Sequence, residues 1–154
     1  MRPVALILGA SSGMGLATAR KLAKEGWDLI LLFRCRKSDL KELQPEWDHW
    51  KETGARVWTY NKDATLESVR KEVLEDAQSN GLLIKLFVHS IARGHLKPMV
   101  QNESSDEGLL SEGDLALTLE SMATSYFHWA QALFQKSLLA HNASIMAFTS
   151  EGGR

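Results

Sequence analysis

The chain has a single cysteine, Cys35, so no disulfide can form within it, and no thiol cluster suggests a structural zinc. It also lacks an excess of either charge. With 18 Lys and Arg against 19 Asp and Glu, the net charge of -1 gives no general attraction to nucleic acid or to an anionic membrane. No apolar run approaches the ~20 residues of a membrane span. The apolar segment near the N-terminus is short and runs into glycines instead of a cleavage site, so no signal peptide is expected and a cytoplasmic location is the default. Internal repeats and low-complexity tracts are missing as well. What remains is an ordinary globular composition, 44% hydrophobic and 24% charged. Its 154 residues suffice for one domain with a sizeable core, expected to span 1–154.

The most informative stretch is the first thirty-odd residues. An apolar run, Val4 to Leu8, breaks into the turn Gly9-Ala10-Ser11-Ser12-Gly13-Met14-Gly15, and this opens into a segment with helical apolar spacing. A strand feeding a glycine-rich turn and a helix N-terminus is a device for holding a pyrophosphate. The glycines let backbone N–H groups approach the anion, and the unpaired N–H groups and positive dipole end of the helix attract it.

Further along, strand and helix patterns alternate. Strands are expected at 3–9, 27–33, 55–60, 82–88 and 144–148. Helices are expected at 13–25, 38–53, 66–78 and 112–140. Pro45 falls inside the second helix and reads as a kink or restart. The last helix carries Leu115, Leu119, Met122, Phe127, Ala130, Leu133, Phe134 and Leu138 as its apolar residues, and His141-Asn142 reads as its break. A polar stretch from about Arg93 to Ser111 includes the acidic run Asn102 to Gly108. Loops of that length usually serve as lids or binding segments, and the acidic run is expected to be the most mobile part. Alternation of this kind implies right-handed crossovers and a doubly wound α/β fold, Rossmann-like, with a parallel sheet in the order 3-2-1-4-5. Ligands on such a sheet bind outside the carboxyl ends of the strands, at the switch between strands 1 and 4.

A nicotinamide dinucleotide places its adenosine ribose after strand 2. A carboxylate there would accept from a 2′-hydroxyl, whereas cations would neutralise a 2′-phosphate. The sequence offers Arg34-Cys35-Arg36-Lys37 and no carboxylate until Asp39. This favours NADPH, with NADH as the alternative. Arg34 is the better single candidate, Arg36 the second, and Ser11 and Ser12 are further donors; a solvated basic turn is the competing reading.

The spacing Gly-x-x-x-Gly-x-Gly at Gly9, Gly13 and Gly15 resembles the short-chain dehydrogenase/reductase family, with Leu8 where that family usually has Thr. The resemblance implies that Asp63, followed by the apolar Ala64, bonds the adenine amino group; an N-cap for the next helix fits Asp63 equally well. Strand 4 ends in His89-Ser90-Ile91-Ala92. This run is similar to the enoyl-[acyl-carrier-protein] reductases of fatty-acid synthesis and differs from the Asn-Asn-Ala-Gly of most members. It implies cofactor contacts on the ribose and nicotinamide side from His89, Ser90 and Ile91, although a histidine in such a place is more often simply buried. Met122 falls near the family's relay Asn, whose work it cannot do. Ser150, in Thr149-Ser150-Glu151-Gly152-Gly153, matches the active-site serine that would hydrogen-bond the substrate oxygen.

The family's Tyr and Lys pair is missing. Tyr60 and Tyr126 are the only two tyrosines, and neither has a Lys at the required spacing. The resemblance therefore covers the front part of the family's usual length. Either the chain belongs to a longer enzyme, or it is a short chain that only binds nucleotide. For the longer enzyme the implied function is NADPH-dependent reduction of an enoyl thioester; a 3-oxoacyl or ketone reductase is the alternative. The expected partners are the acyl-thioester substrate, an acyl carrier protein and further copies of the chain, with no metal.

Overall fold

The structure is a computed structural model that describes residues 2–100 and 108–148. Among these, five parallel strands form one sheet: β1 (Val4–Leu8), β2 (Asp28–Phe33), β3 (Val57–Asn61), β4 (Ile84–His89) and β5 (Leu139–Ala147). Their order is β3-β2-β1-β4-β5, the Rossmann-like arrangement expected from the alternation. The helices are α1 (Gly13–Lys24), α2 (Lys37–Glu52), α3 (Glu67–Ser79), α4 (Glu112–Leu119) and α5 (Ser125–Gln135). A π-helical turn (Glu120–Thr124) joins the last two.

The central strands are mostly apolar because both sheet faces are covered; Asp28, Lys85 and His89 are their polar positions. Strand alternation divides β1 between two cores. Val4, Leu6 and Leu8 pack with Val69, Val73 and Leu74 of α3 and with Trp129 and Leu133 of α5. Ala5 and Ile7 face Leu16 and Ala19 of α1 and Leu43, Trp47 and Trp50 of α2. Asp28, buried at the start of β2, is satisfied by Arg56, whose backbone N–H and Nε donate to its two oxygens at 2.9 and 2.8 Å. No described helix is long and apolar enough to cross a membrane.

Three local expectations need correction. First, α2 runs through Pro45 as one helix, so the proline does not restart it. Lys41, whose carbonyl loses its partner to the proline, is an exposed residue, and the buried Leu43, Trp47 and Trp50 hold both halves against the sheet. Second, the last helix stops at Gln135, not at 140. Ser137 adopts φ 53° and closes it, a left-handed cap made without the usual glycine.

Third, β5 starts earlier than expected, and His141-Asn142 lies inside it. Asn142 has φ 54°, and Lys85 Nζ donates to both the His141 and Asn142 carbonyls at 2.8 Å. The extra residues form a bulge: Ile84 pairs with Leu139, but Leu86 already pairs with Ser144. The apolar residues of the last helices also divide. Trp129, Leu133 and Leu138 enter the core, while Leu115, Leu119, Met122, Phe127 and Phe134 are exposed. Among the described residues β5 pairs only with β4.

Candidate functional site at the carboxyl ends of the strands

The three glycines of the first turn do different work. Gly9 has φ +83°, and a Cβ there would stand 2.1 Å from the Ser90 carbonyl oxygen. A Cβ on Gly15 would stand 2.2 Å from the Gly9 carbonyl oxygen and 3.2 Å from the Ser90 Cβ. These two let the turn, α1 and the end of β4 close on one another. Gly13 has φ +53° and open space where a Cβ would point, so its absent side chain leaves room beside the helix N-terminus. Ser12 caps α1 with extended backbone, and its side chain makes no capping bond. The first N–H groups of α1 are thus open to a ligand.

Above this turn lies a cavity of about 590 Å³ at the carboxyl ends of the strands, where strand order reverses between β1 and β4. Gly9, Ser11, Ser12, Gly13 and Met14 line one side of it. Arg34 lies at the end of β2, Lys62 to Thr65 follow β3, Ser90 to Arg93 follow β4, and Ser121 comes from the π turn. A second cleft, of about 540 Å³, shares Ser11, Ser12 and Arg34 and adds Cys35, Arg36 and Asp39. Arg36 thus borders the second cleft and not the main cavity. Burial pushes the Cys35 thiol up, and the Asp39 charge adds to this.

Asp63 joins two of these corners. Arg34 Nη1 donates to its Oδ2 at 2.8 Å, and Arg93 approaches the same oxygen at 3.6 Å. Its other oxygen accepts from the Thr65 N–H at 3.0 Å and the Thr65 hydroxyl at 2.7 Å. Burial alone would raise the Asp63 carboxyl, but the Thr65 bonds and the Arg34 guanidinium outweigh it and hold the group below its ordinary value. The N-cap of α3 is Leu66, so Asp63 forms the turn ahead of the helix and is not its cap. The next carbonyl, that of Ala64, accepts the buried Trp129 indole N–H at 2.8 Å, tying this turn to α5.

A glycine-cradled helix N-terminus on this strand order fits a dinucleotide, and a sequence model of the short chain dehydrogenase family matches residues 3–154. The chain belongs to this family. A very-long-chain 3-oxoacyl-CoA reductase of Neurospora crassa is 30% identical over 99 residues, covering 62% of this chain and 28% of that protein. Among solved structures, a Treponema denticola trans-2-enoyl-CoA reductase in complex with NAD superposes with a TM-score of 0.81 at 20% identity, covering 98% of this chain and 47% of that one. A metagenomic blue fluorescent protein in complex with NADPH gives 0.77 at 19%, covering 94% and 54%. This short chain dehydrogenase thus spans about half the length of these solved neighbours.

Other expected site residues of the short chain dehydrogenase pattern lie elsewhere. Gly15 is buried beneath the turn and packs; it does not line the cavity. His89 does not line it either. Strand alternation puts His89 on the same face as Phe87, toward α5, where its Nε2 lies 3.2 Å from the Ser125 hydroxyl and its ring meets the Tyr126 edge. Burial lowers its pKa to about 4, so it is neutral at pH 7. Ser90, Ile91 and Ala92 do face the cavity. Tyr60 donates to Asp76 at 2.8 Å and Tyr126 stacks on Phe87, so neither tyrosine lines the cavity. Ser150 and the acidic residues 102–107 lie outside the described residues.

Sequence reading passed over Arg93, Asn61 and Ser121. Arg93 carries a signal in plain view, a cation just past the end of β4. Ser121 has none. Ser121 lies in the π turn and lines the cavity, while Met122 beside it is exposed and does not. The Ser121 hydroxyl is fully buried and has no hydrogen-bond partner among the described residues.

The polar loop after β4 is strapped to α4. Buried Asp114 accepts from Lys97 Nζ at 2.8 Å and from the Ser111 N–H and hydroxyl at 3.0 and 2.7 Å, and it also meets His95 Nδ1. These bonds, the Lys97 one foremost, hold its carboxyl well below the usual range.

Proposed function

We propose that this chain forms the dinucleotide-binding part of an NADPH-dependent reductase that acts on an enoyl thioester. The observation that carries the cofactor reading is the second cleft. Arg34 and Arg36 line it together with Ser11 and Ser12 of the glycine turn. A 2′-phosphate would meet two guanidiniums and two hydroxyls there, the donor set that suits a phosphate monoester. Among the described residues Asp39 is the one carboxylate lining the cleft, and its Oδ2 already accepts the Arg36 N–H at 3.3 Å. Gly9, Ser11, Ser12, Gly13 and Met14 would hold the pyrophosphate, Asp63 and Ala64 the adenine, and Ser90 and Ile91 the ribose and nicotinamide side. NADPH supplies the hydride. The enoyl substrate is supported by the His89-Ser90-Ile91-Ala92 run and by the likeness to a trans-2-enoyl-CoA reductase, which itself holds NAD.

A 3-oxoacyl reductase is the second reading, favoured by the Neurospora crassa relative of that name. In either case Ser150 would bond the substrate oxygen, and a Tyr and Lys from a continuing segment would complete the site. The acyl group would arrive as a thioester of coenzyme A or of an acyl carrier protein. The exposed apolar residues of α4 and α5 would meet that segment or a second copy, in a cytoplasmic enzyme.

Arg34→Ala and Arg36→Ala are each expected to weaken NADPH binding about tenfold, the value of one charge-assisted hydrogen bond, while leaving NADH within about twofold. Calorimetric titration of both variants checks this, and equal losses for the two cofactors would rule out a phosphate contact. For the enzyme containing this chain, turnover of a crotonyl thioester with NADPH supports the enoyl reading. Turnover of a 3-oxoacyl thioester alone transfers the assignment to the second reading.

A further inference from the structure

The corner that carries Arg34 and Arg36 lies just beyond the end of β2, where a parallel sheet ordinarily releases the chain. The last main-chain rung between β2 and β3 is the Lys62 N–H donating to the Phe33 carbonyl at 2.8 Å. Two further bonds follow, both from one side chain. The Cys35 N–H donates to Asn61 Oδ1 at 3.0 Å, and Asn61 Nδ2 donates to the Cys35 carbonyl at 3.1 Å. The Asn61 carboxamide therefore acts as a substitute peptide group and extends the ladder two residues past Phe33. A carboxamide suits the task because it offers one acceptor and paired donors on a single planar group, as a peptide does. A carboxylate lacks the donors, and an aliphatic side chain lacks both.

With both backbone groups of Cys35 held, the residues on either side are directed to separate tasks. Arg34 reaches Asp63 at 2.8 Å and borders both cavities, while Arg36 borders the second cleft alone. Asn61 itself lines neither. We infer that Asn61 is a positioning residue for cofactor choice: through Cys35 it holds the Arg34-Cys35-Arg36 corner in the shape that places two guanidiniums around a 2′-phosphate. This rests on the NADPH reading above, and it names the residue that builds that subsite without touching the ligand.

The expected consequence is selective. Asn61→Leu frees the corner, so NADPH affinity should fall about fivefold and NADH affinity less than about twofold, because the rest of the dinucleotide contacts the glycine turn instead. Asn61→Asp keeps the acceptor for the Cys35 N–H, loses the donor and adds a negative charge near the cleft. It should also lose NADPH affinity preferentially, which keeps the test available if the leucine variant fails to fold. Thr59→Ala, an exposed change on the same strand, serves as the control and should alter neither affinity.

The experiment is calorimetric titration of the 154-residue chain and these variants with NADPH and NADH, alongside their thermal melting. A drop in the NADPH-to-NADH affinity ratio for the Asn61 variants, with the ratio unchanged for Thr59→Ala, supports the inference. An unchanged ratio, or equal losses for both cofactors, overturns it while leaving the NADPH reading intact. Absence of any NADPH preference in the wild-type chain overturns the cofactor reading itself, and the inference with it.

Discussion

Gly15→Ala should abolish dinucleotide binding and destabilise the fold by about 3 kcal/mol or more. The new Cβ would lie 2.2 Å from the Gly9 carbonyl oxygen, a backbone atom that cannot swing aside as a side chain could. Relief requires α1 to move away from β1 and β4, which opens the core around Leu16 and Ala19. Gly9→Ala should act the same way, since its Cβ would meet the Ser90 carbonyl at 2.1 Å and its φ is +83°. Gly13→Ala is the contrasting case. Its Cβ meets nothing within 4 Å, so only the left-handed backbone at φ +53° resists, at about 1 kcal/mol. That variant should fold and still bind dinucleotide more weakly, because the methyl group would enter the open space proposed for the pyrophosphate. Urea denaturation followed by the fluorescence of the five tryptophans, with NADPH titration of each variant, separates the two classes. Wild-type stability in Gly15→Ala would contradict the close approach of α1 to the Gly9 carbonyl.

The second large effect is a loss of stability in mild acid, traced to one residue. His89 is buried against Ser125 and Tyr126, and its pKa is lowered to about 4 from an ordinary 6.5. Its folded pKa lies below its unfolded one, so the unfolded chain takes up the proton first as pH falls. The stability gained from keeping this imidazole neutral is fully present above pH 6.5 and is lost as pH falls toward 4. Between pH 7.5 and 5 the loss should be about 2 kcal/mol. Asp63 and Asp114 have lowered pKa values, so their contributions are lost only at lower pH, below the ordinary carboxylate value of 3.8. His89→Gln, whose amide can still approach Ser125, should flatten the slope over this range. Urea midpoints at pH 7.5 and 5 for both proteins measure it, and an equal slope in the variant would place the titration elsewhere.

The fold was legible because β1, β2 and β4 are largely apolar runs and the glycine turn stands between a strand and a helix. The order of the sheet follows from right-handed crossovers, without long-range information. Errors arose where local signals were overridden. Burial of Trp47 and Trp50 carried α2 through Pro45, and Ser137 ended a helix without the glycine that usually marks such an end. At the site, residues placed by the chain's direction were readable: Ser11, Ser12, Gly13, Arg34 and Asp63 all line the cavity. Those that depend on which way a side chain turns were not. His89 has the right place in the sequence, but strand alternation sends it away from the cavity, and Ser121 lines it from a π turn that no local sequence signal marks.

The most direct measurement is isothermal titration of the 154-residue chain with NADPH and, separately, NADH. One site per chain is expected, with NADPH bound about tenfold more tightly than NADH. Failure to bind either nucleotide, or NADH bound as tightly as NADPH, would contradict it.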